Sequence, residues 1–200
     1  MREYIVGNSL NLIKKSNPDY NEEKLEELEY GLTGLYIFIT KSIVIFSIAY
    51  FLGILGELII FMLIYNAVRI FSFGMHAPSS IACLIASALA FLSATFLCKN
   101  IIIPINIRII LGIIGIVLMF IYSPADTEKK PIISYNWRLF YKIISTLIAF
   151  LAVTISILVS NNFIANSCVI GLLIQCFLIT PFAYKITGQK YDNYKSYLNE

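Results

Sequence analysis

The chain has 200 residues, of which 58% are hydrophobic and only 14% are charged. This composition is too apolar for a soluble domain of this length, and the net charge of +3 is too small to identify a partner. The sequence therefore predicts an integral membrane protein.

The first 30 residues are charged and predict an amphipathic segment that lies on the membrane surface. Asn21 is suited to cap a short helix, and Glu22 and Glu23 in its first turn are favourable near a helix N-terminus. A solvated arm without membrane contact is the alternative.

Continuous apolar runs after this segment predict membrane-spanning helices. The run from Ile143 to Tyr184 has no charged residue over 42 positions, which is enough for two helices of about 20 residues each. Because these runs do not alternate polar and apolar residues, helices are favoured over strands. We expect a single all-α membrane domain over residues 1–200, with a core at 31–184 and a polar tail at 185–200. Its six predicted spans are residues 33–54, 57–74, 79–97, 106–123, 140–159 and 163–184.

The positive charges predict the orientation of these spans. Six spans put both termini on one side, and thirteen of the fifteen Lys and Arg residues then fall on that side. Only Lys99 and Arg108 fall on the other. Cytoplasmic loops carry the excess of Lys and Arg, so we expect both termini in the cytoplasm.

The one histidine of the chain precedes a cysteine by seven residues, in the stretch RIFSFGMHAPSSIAC. In the predicted topology His76 and Cys83 lie at the cytoplasmic ends of spans two and three. On an unbroken helix the two residues would stand about 10.5 Å apart along the axis. Pro78, however, is typical of a helix start, which would leave His76 in a loop that Gly74 allows to turn back toward Cys83.

An imidazole beside a thiol is sufficient for acyl transfer. An ordinary thiol has a pKa of about 8.5 and is mostly protonated at neutral pH, and a neighbouring imidazole can accept its proton. Non-catalytic roles stay open at this point: Cys83 as a packing residue or a lipidated juxtamembrane cysteine, and His76 as a solvated side chain. For the other three cysteines, Cys98, Cys168 and Cys176, we expect a packing role.

The pattern R-x-F-S-F-G-M-H-A-P-S-S-x-x-C at 69–83 resembles the core motif of the accessory gene regulator B family. These proteins are membrane cysteine endopeptidases of Gram-positive bacteria that process quorum-sensing propeptides. The loop YSPADTEKKPI at 122–132 is similar to a second segment of that family, and the length and span number also agree. One difference is SFG at 72–74, where many members have paired glycines, which leaves the loop conformation open.

The resemblance implies that Cys83 is the nucleophile and His76 its base. It implies an enzyme of the plasma membrane, with its active site on the cytoplasmic side, that removes the C-terminal tail of a short propeptide through a thioester. A cysteine or serine of the peptide would then close a thiolactone or lactone. The expected partners are an amphipathic AgrD-like propeptide and membrane lipids, with a homodimer left open. We expect no cofactor, metal or nucleic acid.

Other residues of the two segments are candidates for supporting roles. Asp126 could orient His76, although a turn role is favoured. Ser79 and Ser80 could stabilise an oxyanion, although helix capping is favoured, and backbone N–H groups are equally suitable donors. Substrate-binding candidates are Arg69, Lys129 and Lys130, and Arg138 and Lys142 add positive charge nearby.

A scaffold or peptide exporter without enzymatic activity is the alternative function. In that case His76 and Cys83 would be structural. Transport, however, favours polar or charged residues at the depth of the membrane centre, and the chain has few of them.

Overall fold

The computed structural model describes residues 2–18, 20–75, 79–128 and 131–197. In these ranges all regular secondary structure is helical, and Phe73 and Ala125 form an isolated parallel bridge. The elements are α1 (Arg2–Ser16), α2 (Glu22–Phe51), α3 (Leu55–Ser72), α4 (Ser80–Asn100), α5 (Ile105–Tyr122), α6 (Tyr135–Leu158), α7 (Asn162–Leu178), α8 (Pro181–Ile186) and a short 3-10 helix (Asn193–Tyr197). The predicted all-α fold is confirmed.

Five helices, α2 to α6, are long and apolar enough to cross a membrane. The next apolar helix, α7, has 17 residues. It is about 25 Å long at a rise of about 1.5 Å per residue, which is less than a hydrocarbon core of roughly 30 Å. The chain thus has the helices of a membrane protein, and the sixth span remains a prediction.

The residues before the second span form a first compact unit, 1–51, in which α1 packs against α2. As predicted, the Asn21 side chain caps α2 by accepting a hydrogen bond from the Lys24 N–H at 3.0 Å. The helix that it caps is not short, however, because it continues without interruption to Phe51. No proline interrupts residues 22–51, and single glycines such as Gly31 are tolerated within a helix, so the predicted short helix was wrong. The boundary near residue 30 between a surface segment and the membrane core stays a prediction.

The predicted end of the sixth span was also wrong. The helix stops at Leu178, and a separate helix begins at Pro181. Proline disfavours helical geometry in the residue before it and has no N–H to donate. Thr180 instead caps α8 through its hydroxyl, which accepts from the Ala183 N–H at 3.4 Å.

The second compact unit, residues 52–200, is built around α7, which packs against α3, α4, α5 and α6. Close approach of α5 depends on two glycines. A Cβ at Gly112 would lie 2.7 Å from Val153 of α6, and one at Gly115 would lie 2.7 Å from Leu172 of α7. Small residues at such contacts let helix backbones approach closely in membranes.

Polar contacts join one end of this unit, which we call the Lys99 end. Lys99 at the end of α4 forms an ion pair of 2.6 Å with Glu57 at the start of α3. Arg108 at the start of α5 donates to the Ser156 carbonyl in the last turn of α6. Asn166 in α7 donates to the carbonyl oxygens that end α4. Successive helices therefore run in opposite directions.

The opposite end of this unit, which we call the Cys83 end, carries the residues of the proposed site. Cys83 lies in the first turn of α4, and the segment that joins α3 to α4 comes directly before this turn in the chain. The hydroxyl oxygens of Ser123 after α5 and Ser145 in α6 are 2.6 Å apart. The Met75 N–H donates to the Leu178 carbonyl at the end of α7. The helix directions thus gather the two sequence motifs at one end of the bundle.

Candidate active site

Cys83 is held at the start of α4 by a capped helix N-terminus. Ser79 has an extended backbone conformation, and its hydroxyl oxygen accepts from the Ala82 N–H at 3.2 Å. Its carbonyl accepts from the Cys83 N–H at 2.9 Å. Ser79 is therefore the N-cap, the role that the sequence favoured, and Ser80 is an exposed first residue of the helix. In this turn the N–H groups of Ser80 and Ile81 have no acceptor within the helix.

The four cysteines differ in accessibility. Cys98, Cys168 and Cys176 are buried, with 1%, 3% and 1% of their surface exposed, whereas Cys83 is partly exposed. All four are described, and none forms a disulfide. Of these thiols, Cys83 is thus the one that a dissolved substrate or reagent can reach.

The predicted base, His76, lies outside the described residues, together with Ala77 and Pro78. The described chain stops at Met75 on one side and resumes at Ser79 on the other. The predicted helix start at Pro78 precedes the first residue of α4 by two positions. The structure defines the contacts of the residues on either side of this segment.

The residues that lead toward His76 have an unusual backbone conformation. Phe73 and Gly74 have positive φ angles of 57° and 110°. The Gly74 N–H donates to the Ala125 carbonyl at 2.8 Å, and the Ala125 N–H donates to the Ser72 carbonyl at 3.1 Å. A Cβ on Gly74 would lie 3.1 Å from the Leu178 carbonyl oxygen, so both the φ angle and the close approach require glycine here.

Two side chains, the partly buried Arg69 and the buried Gln175, hold the same segment. The Arg69 guanidinium donates to the carbonyl oxygens of Phe73 at 3.2 Å and Met75 at 3.0 Å, and to Gln175 Oε1 at 3.1 Å. Gln175 Nε2 donates to Ser72 Oγ and to the Phe73 carbonyl, both at 2.7 Å. These contacts use the guanidinium of Arg69 to hold the backbone, and substrate binding by Arg69 stays a prediction.

Tyr65, one turn before Arg69 in α3, connects this network with Cys83. Its phenol interacts electrostatically with both the Arg69 guanidinium and the Cys83 thiol. Its ring packs edge-on against Phe91 of α4 at a centroid distance of 5.1 Å. The middle of α4 therefore packs against α3 one turn before Arg69, which supports residues 72–75.

Asp126 joins the second motif to the C-terminal segment. Its carboxylate is 2% exposed and accepts from the N–H groups of Asn193 at 3.1 Å and Tyr194 at 3.0 Å. It also accepts from the Ile132 N–H at 3.3 Å and forms an ion pair of 3.4 Å with Arg138. These partners favour the structural role over orientation of His76, which stays a prediction.

A cleft of about 530 Å³ lies beside this loop. Its walls include Ser123 after α5, Arg138 and Lys142 of α6, and Tyr191 and Tyr194 of the C-terminal segment. Burial, assisted by the negative charge of Asp192, raises the pKa of Tyr191 to about 12, so this phenol stays protonated at neutral pH. Cys83 does not line the cleft, and Lys129 and Lys130 lie outside the described residues.

The sequence interpretation missed several of these groups, above all Gln175 and Arg138 as structural partners. A glutamine within the uncharged run from 143 to 184 was the available signal, because polar residues in membrane helices are energetically costly and usually face a polar partner.

Among the described residues, no group of three His, Cys, Asp or Glu side chains is placed to hold a metal ion.

The comparison with known protein families decides the relationship. The family model of accessory gene regulator B matches residues 7–179. The chain belongs to the accessory gene regulator B family. The match spans both sequence motifs and all helices from α2 to α7.

Individual relatives in this family come from the genera Listeria, Clostridium and Staphylococcus. An AgrB-like protein of Listeria monocytogenes serovar 1/2a is 32% identical over 188 residues, covering 93% of this chain and 91% of the relative. An AgrB-like protein of Clostridium acetobutylicum is 29% identical, covering 86% and 82%. Accessory gene regulator protein B of Staphylococcus aureus strain JH9 is 33% identical, covering 72% and 76%. No solved structure matches the chain.

Proposed function

We propose that this protein is a membrane cysteine endopeptidase that removes the C-terminal tail of a short quorum-sensing propeptide. The observation that carries the proposal is the position of Cys83. It is a partly exposed thiol in the first turn of a capped helix, whereas the other three cysteines are buried. Membership in the accessory gene regulator B family supports the same function.

In this proposal His76 accepts the proton of the Cys83 thiol, and the thiolate attacks a peptide carbonyl. The tetrahedral oxyanion is stabilised by the N–H groups of Ser80 and Ile81 or by the nearby serine hydroxyls. The peptide C–N bond then breaks, and the imidazolium returns its proton to the leaving amine. The tail departs, and the remaining peptide stays on Cys83 as a thioester.

Release from the enzyme is the second half of the reaction. A cysteine thiol or serine hydroxyl within the bound peptide gives its proton to His76 and attacks the thioester carbonyl. The C–S bond to Cys83 breaks, the Cys83 thiolate takes the proton back from His76, and a thiolactone or lactone ring closes. Because water would hydrolyse the thioester instead, the bound peptide must shield it during this step.

A reconstituted system tests the proposal. The purified protein in lipid vesicles is mixed with a synthetic AgrD-like propeptide, and products are identified by mass spectrometry. The proposal predicts a free C-terminal tail and a cyclic peptide. Transport or binding of an intact propeptide without cleavage would instead support the exporter or scaffold.

The orientation of the helices gives a first prediction. A reporter fused after residue 200 or within 124–136 is expected on the cytoplasmic side, and one within 160–166 outside. The reason is that Lys99 and Arg108 lie at the Lys99 end, whereas Arg69, Arg138 and Lys142 lie at the Cys83 end. Accessibility of the reporter in intact cells is the measurement. An external signal from 124–136 would contradict the six-span topology.

Docking of an acidic substrate tail gives a second prediction. Lys129 and Lys130 follow Asp126 in the sequence, and the wall of the cleft carries Arg138 and Lys142. If the lysines attract the tail, Lys129→Gln/Lys130→Gln should raise the half-saturation concentration and leave the saturated rate unchanged. The salt dependence should also flatten, because salt screens such attraction with a Debye length of about 8 Å.

Single-turnover cleavage at several substrate concentrations, at low and high salt, measures both quantities. The double variant must also insert with normal orientation, which the reporter fusions check. An unchanged half-saturation concentration would return these lysines to the role of setting topology and contacting lipid head groups.

A further inference from the structure

Gln175 is a buried amide in α7 whose hydrogen bonds go to the end of α3 and the segment that follows it. No part of its surface is exposed. Its nitrogen donates to Ser72 Oγ and the Phe73 carbonyl, and its oxygen accepts from Arg69. One planar group thus supplies a donor and an acceptor to three different residues. Leucine or methionine would fill the same space but supply neither.

The segment that Gln175 contacts needs support because of its backbone conformation. Phe73 has a φ of 57°, where a bulky side chain is disfavoured, and the chain turns again at Gly74 with a φ of 110°. The Phe73 carbonyl lies within reach of both the Gln175 amide and the Arg69 guanidinium. Through these bonds Arg69 and Gln175 stabilise a backbone conformation that the local sequence does not favour.

Other parts of the bundle hold the same segment through the backbone. Ala125 forms a two-way contact with it, accepting from Gly74 and donating to Ser72. The Leu178 carbonyl, three residues after Gln175, accepts from the Met75 N–H at 3.2 Å. The end of α7 therefore fixes the segment twice, and Met75 is followed directly by His76 in the sequence.

We infer that Gln175 is a positioning residue for the peptidase reaction. It holds residues 72–75 in the conformation that carries the chain from α3 toward the helix of Cys83, and so sets where the proposed base meets the nucleophile. The inference rests on the proposed function. It requires no contact between Gln175 and the substrate.

A matched pair of variants separates positioning from stability. Gln175→Met removes the three hydrogen bonds and keeps the volume. Asn166→Leu is the control, because Asn166 is also a buried amide of α7 but donates to Cys98 and Ile101 carbonyls at the Lys99 end. Gln175→Glu keeps the size and the acceptor for Arg69, so it is expected to fold even if the methionine variant does not.

Two readouts distinguish the variants in detergent or vesicles. Gln175→Met is expected to lower kcat about 10²-fold with KM nearly unchanged, the typical effect of a small misplacement of reacting groups. Asn166→Leu should lower the thermal midpoint of unfolding about as much as Gln175→Met does, but it should retain the wild-type kcat. Gln175→Glu should also lower kcat, because it keeps the Arg69 contact but places a carboxylate oxygen against the Phe73 carbonyl in place of the amide donor.

The second readout needs no propeptide. Iodoacetamide reacts with thiolates, and mass spectrometry follows the peptide that contains Cys83. The rate near neutral pH is divided by the rate well above the ordinary thiol pKa of about 8.5. Gln175→Met should lower this ratio because the base is displaced, whereas Asn166→Leu should not change it.

The inference is overturned if Gln175→Met and Gln175→Glu keep the kcat and the alkylation ratio of Asn166→Leu. If the wild-type protein cleaves no propeptide, the proposed function fails, and the alkylation ratio alone decides whether Gln175 positions the residues beside Cys83. A lowered ratio supports that positioning, and an unchanged ratio contradicts it.

Discussion

Replacing Cys83 with alanine is expected to abolish propeptide cleavage while leaving a folded, membrane-inserted protein. In the proposed reaction the thiolate forms the bond that replaces the peptide bond, and alanine offers no nucleophile. The side chain lies in the first helical turn, partly exposed, and alanine suits a helix, so little stability should be lost. The measurement is release of the C-terminal tail by protein in vesicles, together with the thermal midpoint and binding of the uncleaved propeptide.

The other cysteines provide matched controls for this prediction. Alanine at Cys98, Cys168 or Cys176 is expected to leave cleavage intact, because these thiols are buried among packed helices. Cys176 also donates to the Gly115 carbonyl, so its replacement should cost some stability. Cleavage by Cys83→Ala, together with a folded but inactive variant at another cysteine, would show that the nucleophile is misassigned.

Replacing His76 with alanine is expected to lower the cleavage rate by about 10²- to 10⁴-fold, the usual contribution of a general base. Raising the pH should restore part of the rate, because hydroxide then supplies the thiolate without help from the imidazole. The effect should fall on the rate at saturating propeptide. Cleavage rates over a range of pH, for wild type and variant, measure both effects.

A neighbouring substitution controls for damage to the segment. Ser80→Ala changes an exposed side chain beside the N-cap and should keep a pH profile of wild-type shape, since the backbone N–H of residue 80 is retained. If His76→Ala cleaves at the wild-type rate near neutral pH, the histidine has only a structural role.

Much of the fold could be predicted from the sequence because the membrane imposes strong rules. Apolar runs of the length of a bilayer must be helices, which identified α2 to α6. The errors concerned where individual helices end. Nothing in residues 22–51 stops the helix that Asn21 caps, and Pro181 divides a run that hydrophobicity alone leaves continuous.

The candidate site was predictable to a smaller extent. The helix cap at Ser79 and the burial of three cysteines follow from local sequence, since capping residues and apolar context act over a few positions. The partners of Asp126 do not, because Asn193 and Tyr194 are distant in the chain and contribute backbone N–H groups, which any sequence supplies. The partners of Gln175 could not be predicted either, because Ser72 and Phe73 at the end of α3 are distant from it in the chain.

In the proposed reaction Cys83 carries the peptide as a thioester, and trapping this intermediate is the decisive experiment. Wild-type protein in vesicles is mixed with propeptide, quenched in acid during the first turnover and digested for mass spectrometry. If the thioester forms, the peptide containing Cys83 gains the mass of the N-terminal propeptide fragment, and hydroxylamine removes this mass. An adduct on another residue, or unchanged cleavage after Cys83 has been fully alkylated, would contradict the proposed reaction.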